Sequence, residues 1–229
     1  MKRIIVTANY PDSGITTILV NLACGLFKQG MRILIADESE NGKLAEWLGV
    51  YGDDQESKYS AGVQWEGIIA SSRLGIDYIR INSQLIDNSY SLAWWQESAY
   101  DFTFTNSQNL LANQALACNV EAVLVCTDLS HGDEVEELQR LEHHLLTLTG
   151  KSNLIKLIIP NKINTKEWEH NSGYLFAIAE HYGFEAIADP IPHCERIHDL
   201  SMQGYTVWDL KQKNLQEAFN RLVEAVVKI

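Results

Sequence analysis

Apolar residues run along this chain in two alternating rhythms. Six short blocks, residues 3–8, 32–36, 76–81, 102–105, 122–127 and 154–160, are dominated by apolar and β-branched side chains over strand length. Longer stretches at 16–29, 133–148, 166–182 and 213–228 carry apolar positions every three to four residues, the spacing of a helix. Near-continuous apolar strands are those covered on both faces, and strands that alternate with helices build a parallel sheet. The pattern predicts an α/β fold, a three-layer, doubly wound, mostly parallel sheet with helices on both faces. Gly30, Gly150 and Gly183 follow three of the helical stretches, where glycine is the expected stop. In the last stretch Leu215, Phe219, Leu222, Val223 and Val226 form one stripe, as in a helix packed on its own core. Glu217 and Glu224 oppose a basic membrane-surface face there.

Length and charge narrow the picture. The 229 residues suit one large domain spanning 1–229, and two independent domains would be cramped. A formal net charge of −12, with no local basic patch, disfavours nucleic acid and anionic lipid as partners. The first strand follows Met1 almost at once, and no apolar run approaches a membrane span, so a cytoplasmic protein is expected. Cys24, Cys118, Cys126 and Cys194 are widely spaced and read as free, mostly buried thiols. His193, Cys194 and His198 match no common zinc spacing, and no metal is expected. Residues 50–74 read as a polar loop with a short helix, and Trp94 and Trp95, with Tyr90, as aromatics packed on the sheet.

The informative segment joins the first strand to the first helix. Residues 9–17, Asn-Tyr-Pro-Asp-Ser-Gly-Ile-Thr-Thr, stand where a phosphate-binding loop of the form GxxxxGK[ST] belongs. In that loop backbone N–H groups cradle phosphates, the Lys reaches the terminal oxygens and the hydroxyl binds Mg²⁺. Gly14 and Thr16 are kept, Asn9 stands at the first glycine, and Ile15 replaces the lysine. Pro11 has no N–H to offer, and Asp12 would set a carboxylate beside the phosphates. Thr16 and Thr17 still open a helix whose N–H groups suit an anion weakly.

Other segments carry a family resemblance. Arg32-Ile33-Leu34-Ile35-Ala36-Asp37-Glu38-Ser39, followed by Leu44 and Trp47-Leu48-Gly49-Val50, resembles the second strand and switch I of the ParA/MinD family of deviant-Walker ATPases, which dimerise around ATP. The family's KGGVGKTT loop places its two lysines at Tyr10 and Ile15, and its paired switch I carboxylates at Asp37 and Ser39. Tyr100-Asp101-Phe102-Thr103-Phe104-Thr105-Asn106-Ser107 resembles the strand ending in the Asp that organises Mg²⁺. Here that place is Asn106, a poorer ligand for a hard dication. Asn161-Lys162 resembles the segment whose Asn recognises adenine, and Ile191-Pro192 with Gly204-Tyr205-Thr206-Val207 resembles the family's closing region. Within the family, Gly14-Ile15-Thr16-Thr17 most resembles the CpaE/TadZ branch, which positions pilus and secretion machinery.

The resemblance implies a remnant nucleotide pocket at Gly14, Thr16, Thr17, Asp37 and Asn161, with no catalytic residue and no metal ligand. Each lost phosphate lysine removes about 1.5 to 3 kcal/mol of charge-assisted hydrogen bonding. Two such losses, with Pro11 and Asp12, lower ATP affinity by roughly three orders of magnitude. No cofactor is expected beyond weak ATP, ADP or anion binding. The implied function is that of a catalytically inactive ParA/MinD-like protein that works through protein contacts in positioning a cellular assembly. Its expected partners are a second copy, with Tyr10 making an aromatic contact across the dimer, and unknown proteins. The alternative is an ATP-binding switch of the same type with a lysine-less loop, in which Lys43 or Lys162 supplies the missing charge. A third reading places a new small ligand in the vacated pocket.

Overall fold

The computed structural model describes residues 1–39, 41–50, 70–81, 100–107, 119–164, 166 and 168–229. Most of the polar stretch after Val50, the aromatics Tyr90, Trp94 and Trp95, and Cys118 lie outside the described residues. In chain order the elements are β1 (Lys2–Ala8), α1 (Ile15–Lys28), β2 (Ile33–Asp37), α2 (Lys43–Leu48), β3 (Ala70–Ser71), β4 (Asp77–Arg80) and β5 (Phe102–Asn106). They continue with β6 (Ala122–Thr127), α3 (Glu134–Thr149), β7 (Ile155–Pro160), α4 (Trp168–Tyr182), α5 (Ile197–Gln203) and α6 (Lys213–Lys228).

The strands form one sheet in the order β3-β4-β2-β5-β1-β6-β7. Every pairing is parallel except that of β3, a two-residue antiparallel strand on the outer side of β4. Period-two alternation divides the core, because successive side chains of a strand face opposite ways. Ile4 and Val6 of β1 pack with α1, α2, α5 and α6 on one face, while Ile5 packs with α3 and α4 on the other. The expected three-layer α/β architecture is the one observed.

Helix α1 is buried almost all round, from Ile18 to Leu26, because the sheet lies beneath it and α6 lies over it. Gly25 lets α6 approach, since a side-chain carbon there would sit 2.6 Å from Val223 and 2.8 Å from Trp208. Asn21, fully buried, is satisfied in both directions. Its amide donates to the Thr17 carbonyl (2.8 Å) and its oxygen accepts the Val207 N–H (2.8 Å). The stripe on α6 is buried as its spacing requires, at Leu215, Phe219, Leu222, Val223 and Val226.

Beyond β7 the chain returns along the sheet's outer edge. The Ala188 N–H donates to the Ile158 carbonyl and the Ile191 N–H to that of Pro160, each at 2.8 Å. Among the described residues, no helix is long and apolar enough to cross a membrane, and no cluster of His, Cys, Asp and Glu is placed to hold a metal.

Candidate functional site

In an open parallel sheet the ligand crevice lies beyond the carboxyl ends of the strands, where neighbouring connections leave in opposite directions. Here β1 is that strand, paired with β5 on one side and β6 on the other. A cavity of about 830 Å³ opens at its end. The loop after β1 and the start of α1 form its floor, Asn41, Lys43, Glu46 and Trp47 one wall, and Ile197, His198, Ser201 and Met202 of α5 another, with Lys162 at the rim. Trp47 ties two of the walls together, its indole N–H donating to the Tyr205 carbonyl at 2.8 Å.

The loop is a closed turn. The Ser13 hydroxyl donates to the Tyr10 carbonyl at 3.0 Å, and the Ser13 N–H points to the same oxygen at 3.5 Å. Asp12 sits in the left-handed region (φ +62°), a conformation that carbon-bearing side chains adopt uncommonly. Two residues at the end of β7 hold this turn from below. The Asn161 amide donates to the Ser13 carbonyl at 2.8 Å, and the Lys162 ammonium donates to the Asp12 carbonyl. Gly14 (φ +92°) must be glycine, because any side-chain carbon would strike the Asn161 amide. Ile15 packs into the core. No side chain caps α1, whose first internal bond runs from the Ile18 N–H to the Gly14 carbonyl at 3.0 Å.

Tyr10 is engaged within its own chain. Its ring stacks on His131, centroids 3.7 Å apart, and its hydroxyl donates to Asp133. Burial first, and then the Asp133 carboxylate, push the phenol pKa well above the ordinary tyrosine value. The β6–α3 loop that carries these partners is itself braced by the buried Glu134, which accepts the N–H groups of His131 (2.9 Å) and Gly132 (3.0 Å).

A second polar cluster lies deeper. Asp37, at the end of β2 and fully buried, is the cross-strand neighbour of Asn106 at the end of β5. One of its oxygens accepts the Ser39 N–H (3.0 Å), the Ser39 hydroxyl (2.7 Å) and the Asn106 amide (2.7 Å), and the other accepts the Tyr78 hydroxyl (3.1 Å).

Of the residues expected to form a remnant nucleotide pocket, Gly14, Thr16 and Thr17 line the cavity. Asp37 and Asn161 are buried behind it, each bonded to its own chain. Lys43 and Lys162 both reach the cavity lining, Lys162 while bonded to the loop. His131, Asp133 and Tyr78 gave no sequence signal, since each meets its partner across a long stretch of chain. Cys24 and Cys126 are buried free thiols and Cys194 is half-buried. Burial pushes the Cys126 thiol up to about 12.

No protein-family model matches the sequence, and no curated protein matches it either. Solved structures do. MinD in the MinC:MinD cell division complex of Aquifex aeolicus superposes with a TM-score of 0.79 at 16% identity, covering 100% of this chain and 96% of that one. A putative plasmid partition protein of Borrelia burgdorferi, bound to AMPPNP, gives 0.77 at 16% identity over 99% of this chain and 98% of that one. Cobyrinic acid a,c-diamide synthase of Mycobacterium smegmatis, with bound ADP and magnesium, gives 0.72 at 16% identity over 100% and 95%. The chain therefore has the fold of MinD and ParA-like proteins, a fold that also serves an enzyme of different chemistry.

Proposed function

We propose that this protein is a catalytically inactive member of the ParA/MinD fold, one domain over its whole length, that positions or assembles cellular machinery by binding other proteins, a second copy included. One observation carries the reading: the turn after β1 carries no lysine and is held in shape by the chain's own Ser13, Asn161 and Lys162. A working loop turns its N–H groups toward an anion and keeps its lysines free. Here the Ser13 N–H is turned to Tyr10, Pro11 has none, and the ammonium of Lys162 is bonded to a loop carbonyl. Phosphoryl transfer rests on electrostatic stabilisation by lysine and Mg²⁺, which Ile15 and Asn106 do not supply.

A magnesium ion does not suit the Asp37 cluster either. The carboxylate already accepts four donors, and Asn106 faces it with N–H rather than oxygen.

The positioning role rests on the fold shared with MinD and a partition protein, and the protein-binding role has a surface to match. Phe176 and Phe184 are 59% and 70% exposed and meet edge to face, with centroids 6.2 Å apart. Glu169 and Glu180 share the helical face of Phe176, Glu185 follows Phe184, and residues 167–194 contain no Lys or Arg. Such a patch suits a partner that sets an apolar anchor between basic side chains, and its acidity disfavours a second copy at this face. Gly173, one turn before Phe176, keeps the helix surface low there, and among the described residues a side-chain carbon would meet nothing within 4 Å.

The rival reading, an ATP-binding switch, is favoured by Lys43 and Lys162 both lining a cavity at an uncapped helix start. Titration calorimetry with ATP and Mg²⁺ separates the two. No saturable heat is expected, and tight, Mg²⁺-dependent binding would establish the rival.

A further inference from the structure

Asp37 is a fully buried carboxylate, and among the described residues none of its hydrogen-bond partners is a cation. A buried charge of this kind is tolerated only when its lone pairs are filled. Four neutral donors fill them. Asn106 supplies one of the two shortest bonds, 2.7 Å, from the directly neighbouring position of the parallel strand pair β2–β5.

The side chain at position 106 is the one that decides what this cluster needs. An aspartate there would set two carboxylates side by side in a fully buried place, and they could coexist only with a proton or a cation between them. Asparagine has the same shape but presents an N–H in the space where such an ion would lie. Its orientation is fixed by the chemistry, because turning the amide over would bring two oxygens to 2.7 Å. The cost appears at its other end, where the Asn106 side-chain oxygen is buried with no hydrogen-bond partner among the described residues.

The same cluster holds the chain that follows β2. The Glu38 N–H donates to the Asn106 carbonyl at 3.1 Å, and the Ser107 hydroxyl donates to the Glu38 carboxylate at 2.6 Å. Ser39 is bound to Asp37 through both its N–H and its hydroxyl. From there Asn41 accepts the Lys43 N–H at 3.1 Å and leads into α2, which forms a wall of the cavity.

We infer that the Asn106 amide, by its hydrogen bond to Asp37, does what a divalent cation would do between two carboxylates, so that the turn at residues 37–39 keeps one conformation whether or not a cation or a nucleotide is present. The surface built directly on that turn is permanently displayed. This goes beyond the proposed absence of ATPase activity: a protein that bound nucleotide would still have an unresponsive turn.

The test uses the full chain. For the wild-type protein, the melting temperature and the hydrogen-exchange protection of residues 37–43 are expected to be the same in EDTA, in Mg²⁺ and in Mg²⁺ with ATP. Asn106→Asp is expected to melt about 10 °C lower in EDTA, since a second buried carboxylate costs several kcal/mol and each kcal/mol is worth about 2–4 °C in a chain of this size. Mg²⁺ or Mn²⁺ should restore much of that loss. Asn106→Ala should be destabilised without any response to cation, which separates a specific ion from a general salt effect. The inference fails if wild-type protection in residues 37–43 rises with Mg²⁺, or if Asn106→Asp is as stable as wild type and indifferent to cations. Should Asn106→Asp not fold under any condition, the wild-type exchange measurement decides by itself. Its outcome is separate from that of the calorimetry, because ATP binding with an unchanged turn would overturn the proposed function and leave this inference standing.

Discussion

The two ends of α1 answer to different demands. At the N-terminal end the helix meets the loop of Tyr10, Pro11, Asp12 and Ile15, whose turn is held by the chain's own Asn161 and Lys162. In the helix body, Asn21 bridges Thr17 and Val207, and Gly25 admits Val223 and Trp208 at contact distance. The second set of constraints is steric and concerns only the fold, so it holds whatever the protein does. On the function proposed above, the first set answers to the shape of the turn alone. Within one helix, packing and chemistry are separable.

Substituting Gly25 by Val should break the fold side of this comparison and have the largest effect. The added carbons have no room beside Val223 and Trp208, and overpacking of about 1–3 kcal/mol corresponds to a fall in Tm of roughly 2–12 °C. A thermal melt checks it, and an unchanged Tm would mean that α1 and α6 are not packed as described. Asn161→Ala sharpens the loop side. Losing the bond to the Ser13 carbonyl should cost about 1–2 kcal/mol, a few degrees in Tm, and raise amide exchange in residues 10–14 while residues 18–26 stay protected.

The smallest effect belongs to Tyr10→Phe, no more than about 2 °C near neutral pH, because the Asp133 bond is largely exposed. Its pH dependence is more telling. The phenol pKa is raised in the folded protein, so the folded state favours the neutral form. That contribution is complete below the unfolded tyrosine value of about 10 and is lost as pH climbs through the higher folded value. Wild type should therefore lose stability relative to Tyr10→Phe only above about pH 10. Parallel melting curves at rising pH would show it, and a difference that shrank between pH 6 and pH 9 would contradict the geometry.

The sheet and the long helices were legible because burial imposes a period that sequence displays directly. The last helix, 213–228, matches the observed Lys213–Lys228 at both ends, and the first was placed one residue late. What escaped was short. Helices α2 and α5, of six and seven residues, span less than two turns and offer too few apolar positions to declare a period, and β3 is two residues long. In the candidate site the lysine-less loop was plain from the sequence, and the resemblance named Asn161 and Lys162 as residues of the same pocket, but the bonds they make to the loop were not legible. Asn161 and Lys162 reach the loop from about 150 residues away, and Tyr10 finds Asp133 across 123. Tyr10 stacks inside the chain on His131, a contact separate from the one expected across a dimer. Spacing along a sequence carries no signal for contacts of that range.

The borders of the sheet have a consequence of their own. An unpaired outer strand invites another chain to lengthen the sheet by hydrogen bonding to it, a common route to aggregation. Here β4 is screened by the brief antiparallel run of β3, and β7 is accompanied by the backbone around Ala188 and Ile191. Among the described residues little continuous strand is left open at either margin, which favours side-chain surfaces over strand pairing wherever copies of this protein associate.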